Sequence, residues 1–267
     1  MDNTDKSNFS PSNSKPMQAI LANAKIMHST TKRQPLTEPL FQTTANELAV
    51  EMSTLSIEEL VQQLDCSQKI AAENWQRYQT FHSTTKMPAI LAYNGQAYKH
   101  LKAQTLSDEA LDFAQEHVWI TCFLYGLLRP LDGVVPYRME HCVKLPLTDH
   151  KPINRFWKER LTDVLINRVK ADDGILLHLS TEEYEHLFDW KRVKSELTVI
   201  QPLFYVRKNG RLKMQAVWAK SCRGAMLRFF LTHQLQTPEA LTAFQYEGFE
   251  YQPHLGEAAY PHFVRDL

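Results

Sequence analysis

The 267-residue sequence lacks the features that mark membrane, secreted and disulfide-rich proteins. No apolar run approaches the roughly 18 residues of a membrane helix, and no charged segment followed by an apolar one opens the chain as in a signal peptide. The four cysteines, Cys66, Cys122, Cys142 and Cys222, have neither zinc-finger nor disulfide-framework spacing. We therefore expect a cytoplasmic protein with no membrane partner.

Common catalytic and cofactor signatures are also missing. The chain contains no G-x-G-x-x-G, G-x-x-x-x-G-K-[ST], H-E-x-x-H or G-x-S-x-G. Its eleven histidines form no ligand pattern, because His141 and Cys142 are direct neighbours and His178 lies in a strand pattern typical of a hydrogen-bonded core residue. We predict neither a metal site nor a cofactor.

The net charge is zero, so the overall charge gives no reason to expect a nucleic-acid partner. The basic residues are unevenly distributed, however. Between Lys191 and Arg228 there are ten Lys or Arg residues and a single acid, Glu196. This segment is either a solvated basic face or part of a phosphate-binding surface.

Hydrophobic periodicity predicts one mixed α/β domain of the α+β type, with a mixed sheet covered by helices. Residues 1–16 are polar and rich in Ser and Asn, which predicts a disordered tail before a domain spanning 17–267. The predicted elements are a strand over 19–27 ending in a turn that displays Lys25, a strand over 88–98, a helix capped by Ser107 that runs to Leu128, a helix over 153–170, a strand over 174–180, a hairpin around Asn209–Gly210, a helix over 222–235 and a short helix from Thr237.

Residues 56–80 predict two helices joined by a short connection. Ser56 and Glu59 form a capping box at the start of the first helix. A second capping box is predicted at Ser180 and Glu183.

The segment WAKSCRGAMLRF, residues 218–229, is a candidate anion site. Lys220, Arg223 and Arg228 fall at a predicted strand-to-helix transition, where free backbone donors and the helix dipole favour an anion. The alternative is an exposed helix start without a ligand. Cys222 lies between two cations, which would lower its thiol pKa, so redox sensing through a thiolate is one interpretation of Cys222 and an unreactive thiol is the other.

The segment YGLLRPLDGVVPYRMEH, residues 125–141, combines prolines and arginines with an apolar run, which is atypical of both core strands and surface loops. Two interpretations remain. Arg129 and Arg138 either form ion pairs with Asp132 and Glu140 that hold the loop, or they face a ligand across a basic cleft.

Several unusual segments together resemble the YaaA family of bacterial peroxide stress proteins. The similarity extends from about Met17 to about Tyr251. It is carried by AKI at 24–26, NGQAYKHL at 94–101, LYGLLRPLDGVVPYRMEH at 124–141, FW at 156–157, HLSTEEY at 178–184, AKSCRGAMLRF at 219–229 and EGF at 247–249. This chain departs from the family pattern at Ala22–Asn23, Ile26 and His178, and its 64–71 connection, LDCSQKIA, has no glycine.

The resemblance implies a single compact domain with the family's cantaloupe-like fold, a basic cleft, and a helix-hairpin-helix element at residues 56–80. It also implies binding to double-stranded DNA and protection of DNA from oxidative damage, partly by restraining free iron. Family motif positions are occupied here by Lys25, Arg129, Tyr137, Arg138, Glu140, Glu183, Tyr184, Lys220, Arg223 and Arg228, and the hairpin adds Ser67 and Lys69 as phosphate contacts.

The leading hypothesis is a DNA-binding stress protein with no catalytic cycle and no obligate protein partner. A second hypothesis is an enzyme acting on nucleobases or nucleic-acid sugars, with Lys25 or Lys220 as nucleophile and Glu140 or Glu183 as acid/base. A third is a pure interaction protein. The first hypothesis predicts that five cations line one groove, with Glu140 and Glu183 buried beside them. These cations are Lys25, Arg129, Arg138, Lys220 and Arg223.

Overall fold

A mostly parallel sheet lies at the centre of the molecule. In the computed structural model, which describes residues 16–267, its strands are β1 (Gln18–Ala22), β3 (Val118–Cys122), β4 (Gly126–Leu128), β6 (Ile175–Leu179) and β7 (Thr198–Ile200). Their order is β4-β3-β1-β6-β7, and only β4 runs antiparallel to its neighbour. β3 is buried along its whole length, as expected for a parallel strand covered on both faces.

A second sheet is built mainly from the last third of the chain. Its strands are β8 (Leu203–Lys208), β9 (Arg211–Lys213), β10 (Gln245–Tyr246), β11 (Phe249–Glu257) and β12 (Tyr260–Asp266), in the order β10-β11-β12-β8-β9. Two further strands, β2 (Met87–Pro88) and β5 (Gly133–Val134), pair in a separate ribbon. The predicted hairpin is confirmed between β8 and β9, where Asn209 and Gly210 have φ of 51° and 73°.

Helices cover both sheets. They are α1 (Gln42–Ser53), α2 (Ile57–Gln63), α3 (Gln68–Gln79), α4 (Ala89–Ala92), α5 (Gln96–Leu101), α6 (Asp108–His117), α7 (Ile153–Ala171), α8 (Glu182–Glu185), α9 (Trp190–Glu196) and α10 (Ala216–Thr232). Short 3-10 turns lie at Phe81–Ser83, Ala103–Thr105, Pro146–Thr148 and Pro238–Ala243. α10 packs on β6 of the first sheet and β8 of the second, so it joins them into the single mixed α/β fold that the sequence predicts. Among residues 16–267, no helix is both long and apolar enough to span a bilayer.

Two of the three predicted helix caps are confirmed. Ser56 and Glu59 form the reciprocal capping box of α2, and the Ser107 hydroxyl caps α6 by accepting from the backbone N–H of Ala110. The predicted box at Ser180 is wrong. Thr181 is the N-cap residue of α8, and the Ser180 hydroxyl instead bonds the Thr121 hydroxyl across the sheet.

Two predicted elements are wrong, and for the same physical reason. Of the predicted strand over 88–98, Pro88 lies in β2, and the residues after it form α4, a short connection and the start of α5. The helix that begins after Ser107 ends at His117 rather than at Leu128. Residues 118–128 are β3 and β4, with every residue buried. A run that is apolar on all sides has no 3.6- or 2-residue period, so its pattern cannot separate a helix from a strand.

The predicted pair of helices at residues 56–80 is present as α2 and α3. Residues 64–67 connect them, and Asp65 has a φ of 43°, the conformation that favours glycine. Its role as a DNA-binding helix-hairpin-helix stays a prediction. The predicted tail, residues 1–16, lies outside the described residues except for Pro16.

Candidate functional site

A pocket of about 290 Å³ opens at the carboxyl ends of β1 and β6. From β1 the chain continues to β3 on one side of the sheet, and from β6 it continues to β7 on the other side. Open α/β sheets bind ligands in the crevice between two strands whose connections diverge in this way. The lining residues are 21–26, 95–98, Leu179, Thr181, Glu183, Tyr184, Lys220 and Arg223.

Two glycines allow the walls of the pocket to approach each other. A Cβ on Gly224 would lie 1.8 Å from the carbonyl oxygen of Ala97, so only glycine lets α10 pack this closely on α5. A Cβ on Gly95 would lie 2.6 Å from the Cβ of Ala24. These two contacts bring the α10 cations opposite the loop that follows β1.

Two cations of the pocket have no fixed partner. Within residues 16–267, neither the side chain of the half-buried Arg223 nor that of the exposed Lys220 forms a hydrogen bond or an ion pair. Burial lowers the pKa of Arg223 by disfavouring its charged form, and Glu185 opposes this electrostatically. A half-buried guanidinium without acceptors is suited to binding an anion from outside the chain.

Two further predicted cations, Lys25 and Arg138, share one buried carboxylate, that of Glu140. Glu140, whose side chain is only 6% exposed, forms ion pairs with the Lys25 ammonium at 2.7 Å and with the Arg138 guanidinium at 2.8 Å. Lys25 lines the pocket, whereas Arg138 lies behind Glu140. Glu183, predicted to be buried, is 38% exposed and lies 3.3 Å from His141 Nδ1. One of the two acids is therefore buried beside the cations, and the other faces the cavity.

Tyrosines form a hydrogen-bonded layer beneath the pocket. The Tyr184 hydroxyl donates to the side-chain oxygen of Asn23, and the Asn23 amide donates to the Tyr137 hydroxyl at 3.2 Å. Tyr137 and Tyr93 share a further bond of 2.8 Å, and burial raises the pKa of all three tyrosines well above its ordinary value. The predicted ligand contact Tyr137 is thus buried support for the site. Sequence reasoning missed Asn23 as a tether, although its departure from the family pattern was a signal.

Arg129 lies at the opposite end of the sheet. Its guanidinium covers the Trp119 ring at 3.3 Å and donates to the Gln18 side-chain oxygen and to the carbonyls of Glu116 and Val118. Gln18 and Val118 begin β1 and β3, whereas the pocket lies where β1 ends. The prediction that Arg129 joins the other four cations is therefore wrong. Burial lowers its pKa to about 10.

The two predicted ion pairs of the 125–141 segment differ in outcome. Arg138 pairs with Glu140 as described above. The Asp132 carboxylate instead accepts from the backbone N–H of Arg129 at 2.7 Å and from the Thr37 hydroxyl at 2.6 Å. Asp132 therefore shapes the turn without pairing with the Arg129 side chain.

Arg228 is also outside the pocket. Its guanidinium donates to the carbonyls of Leu101 and Lys102 and to the Thr105 hydroxyl at 2.9–3.1 Å, which ties α10 to the end of α5. The predicted strand-to-helix transition is wrong as well, because Lys220 and Arg223 lie inside α10, whose first residue is Ala216. Their side chains, rather than free backbone donors, make the site positive.

Burial of Cys222 decides between the two interpretations of this thiol. The side chain is fully buried, and burial raises its pKa to about 12 despite the neighbouring Arg223 and Arg265. Cys222 is a packing residue. It lies on the inner face of α10, where burial changes the thiol pKa more than the neighbouring cations do.

The family model described as peroxide stress protein YaaA matches residues 17–255. The chain belongs to the YaaA family. It is 44% identical over 245 residues to a UPF0246 protein of Bacteroides thetaiotaomicron, covering 90% of this chain and 95% of the relative. A UPF0246 protein of Porphyromonas gingivalis is 37% identical over 86% of this chain and 91% of its own, and one of Burkholderia lata is 35% identical over 88% and 93%. Membership supports a role in the peroxide stress response.

The remaining predicted contacts of this YaaA-family protein lie at the end of the α2–α3 connection and in the first turn of α3. The Ser67 hydroxyl caps α3 by accepting from the backbone N–H of Ile70, and Lys69 is exposed. Neither residue lines the pocket. The α2–α3 connection is still close to the ion pair of Arg138 and Glu140, because both of these residues act electrostatically on the thiol of Cys66.

A buried histidine lies behind the pocket cations. His178 on β6 is fully buried, and its Nε2 is 3.4 Å from Glu185. Among residues 16–267, neither of its ring nitrogens has a hydrogen-bond partner. Burial, reinforced by the charge of Arg223, lowers its pKa to about 3. No group of three or more His, Cys, Asp or Glu side chains in the described part of the chain is arranged to hold a metal ion.

Proposed function

We propose that this YaaA-family protein binds duplex DNA in the cytoplasm, mainly through phosphates, during the peroxide stress response. The observation that carries the proposal is the pocket shared by Lys25, Lys220 and Arg223, where Arg223 has no hydrogen bond or ion pair within residues 16–267. Cations that neutralise phosphates supply most of the non-specific affinity for DNA. A DNA strand lying along the mouth of the pocket would provide phosphate oxygens as acceptors for these cations.

The β8–β9 hairpin supports a surface larger than the pocket itself. Lys208, Arg211 and Lys213 are exposed on it, and none of them forms an ion pair with another described residue. β9 is an edge strand, and the chain continues from it directly into α10, which carries Lys220. The hairpin and the pocket thus present unpaired cations from consecutive elements.

Phosphate binding also connects to iron-driven damage. A protein that neutralises phosphates releases the counterions condensed on the duplex. Ferrous ions held at the backbone generate radicals next to the DNA, so displacing them would limit damage without a metal site in the protein.

The test is the salt dependence of binding to a short labelled duplex, measured by fluorescence anisotropy. If the three pocket cations each neutralise one phosphate, the slope of log affinity against log salt is about −2.7, and hairpin contacts make it steeper. Binding that does not change with salt, or no binding at low salt, contradicts the proposal.

A second candidate function is an enzyme acting on nucleobases or nucleic-acid sugars. The observation in its favour is that Lys25, Lys220 and the acid Glu183 line one cavity that is too small for a duplex. Because Lys25 is ion-paired with Glu140, this alternative favours Lys220 as nucleophile and Glu183 as acid/base.

Borohydride trapping on DNA with an abasic site separates the two functions. A Schiff-base lysine leaves a covalent adduct that Lys220→Ala abolishes, with Lys25→Ala as the matched variant. A protein that only binds DNA leaves no adduct. An adduct that survives both substitutions contradicts the assignment of these lysines.

A further inference from the structure

Resting on the proposed function, we propose that the pocket receives a single nucleoside monophosphate unit. In this assignment Lys220 and Arg223 bind the phosphate, and Glu183 binds an amino group of the base. The proposal thus narrows the ligand of the pocket from a DNA backbone to one nucleotide whose base carries an exocyclic amine.

The size and position of the cavity favour one small ligand. Its volume of about 290 Å³ is at the lower end of small-molecule sites, so a paired duplex can lie across the mouth but cannot enter. The cavity also occupies the crevice between β1 and β6, where open α/β sheets place their ligands. Both observations indicate a ligand held inside the protein rather than only on its surface.

The two α10 cations suit a phosphate. Lys220 and Arg223 are three residues apart in one helix, so they lie on the same face. A guanidinium presents a planar fork of donors to phosphate oxygens, and an ammonium adds a point charge. As both are without hydrogen bonds or ion pairs within residues 16–267, a phosphate need not displace an existing partner.

The rest of the lining suits a base. Ala22, Ala24, Ala97 and Leu179 provide apolar surface for a flat ring. The carboxylate of Glu183 on the same lining only accepts hydrogen bonds, so it selects a base edge that donates.

Adenine, cytosine and guanine present an amino group, whereas thymine presents carbonyl oxygens on both sides of one N–H. The contact of Glu183 with His141 is half-exposed and 3.3 Å long. A base amine can therefore replace the imidazole as the partner of the carboxylate.

The same nucleotide chemistry has two sources. It is free in solution, or it is a nucleotide turned out of a DNA strand into the pocket. Turning a base out costs a few kcal/mol and costs least at an unpaired or damaged position. A peroxide stress protein would then recognise the positions in DNA that are already unstacked.

The experiment measures binding of the full chain to dAMP, dGMP, dTMP and inorganic phosphate by calorimetry, and to two labelled duplexes by anisotropy. One duplex is fully paired and the other carries one unpaired adenine. We expect dAMP and dGMP to bind at least ten-fold more tightly than dTMP or phosphate. Arg223→Ala should weaken dAMP binding at least ten-fold.

Glu183→Ala, which leaves no side-chain acceptor at this position, should remove the preference over dTMP without weakening phosphate binding. Lys158→Ala, which removes an exposed cation of α7 outside the pocket, is the matched control and should leave dAMP binding unchanged.

The outcomes separate this inference from the proposed function. Salt-dependent duplex binding with no mononucleotide binding and no preference for the unpaired adenine overturns the nucleotide pocket and leaves duplex binding intact. Mononucleotide binding without duplex binding supports the pocket and overturns the proposed function. Equal affinity for phosphate and dAMP overturns the base contact. Preference for the unpaired adenine without free-nucleotide binding supports the pocket with DNA as the source.

Discussion

Arg129 and Arg223 are half-buried arginines at opposite ends of the same parallel sheet. Burial lowers the pKa of both guanidinium groups, so both incur the cost of leaving water. Arg129 offsets this cost with three acceptors and the ring of Trp119. The Arg223 guanidinium has no hydrogen bond or ion pair among the described residues and faces a cavity.

The difference shows how to distinguish a structural cation from a binding one. The family resemblance marks both arginines equally, and both stand in unusual motifs. Only the hydrogen-bond acceptors around each guanidinium distinguish the two arginines. A buried cation with satisfied donors stabilises the fold, whereas one with free donors retains its capacity for an external anion.

The largest effect is expected where α5 packs on α10 beside the pocket of Arg223. Gly224→Ala places a methyl group 1.8 Å from the Ala97 carbonyl oxygen, so α5 and α10 must separate. We expect a loss of about 3 kcal/mol in the free energy of unfolding and loss of DNA binding. Thermal melts and anisotropy measure both. Gly210→Asn is the control, because nothing lies near its Cβ and Asn tolerates a φ of 73°. Wild-type melting of Gly224→Ala would show that the helices do not need this approach.

The next largest effect tests whether Arg129 stabilises the fold. Arg129→Ala leaves the carbonyls of Glu116 and Val118 without this donor and uncovers the Trp119 ring. We expect a loss of about 2 kcal/mol in the free energy of unfolding, seen as a lower melting temperature. Duplex affinity should stay within two-fold of wild type. A drop in affinity with unchanged melting would place Arg129 in the DNA-binding surface after all.

Arg223→Ala is the matched substitution at the binding end. We expect duplex affinity to fall about ten-fold, or about 1.4 kcal/mol. The melting temperature should be unchanged or slightly raised, because the variant removes a half-buried charge that has no hydrogen bond or ion pair within residues 16–267. Normal DNA binding combined with melting several degrees lower would make Arg223 a structural residue like Arg129.

The smallest effect concerns His178, the buried neighbour of the pocket cations. With its pKa lowered to about 3, the native state stays neutral at this position in mild acid, while the unfolded chain takes up a proton near its ordinary value of about 6.5. The stability that depends on neutral His178 is therefore full above that value and falls as the pH falls. Between pH 7 and 5.5 the loss is about 1 kcal/mol.

His178→Asn, which keeps a polar side chain but removes the titrating imidazole, should remove this share of the acid sensitivity. Urea denaturation at the two pH values measures it, with Glu185 and Arg223 left unchanged as the nearby charges. An identical loss of stability in the variant would assign the acid sensitivity to other groups.

Local patterns in the sequence determined much of this protein. The capping box at Ser56 and Glu59, the turn at Asn209–Gly210 and the amphipathic helix of residues 153–171 are set by neighbours a few residues apart, and the prediction matched them. The long, unusual motifs also determined the family. The same motifs identified Lys25, Lys220 and Arg223, which the structure brings to one pocket.

Only the tertiary structure decided which of the marked residues share a site. Residues 118–128 are apolar on every side, and whether such a run becomes a strand depends on the partners it meets across the sheet. That outcome places Arg129 beside the start of β3, whereas Lys25 follows the end of β1. Burial of Cys222 and the ion pairs of Glu140 likewise depend on residues distant in the chain, and no local pattern encodes the distance between them.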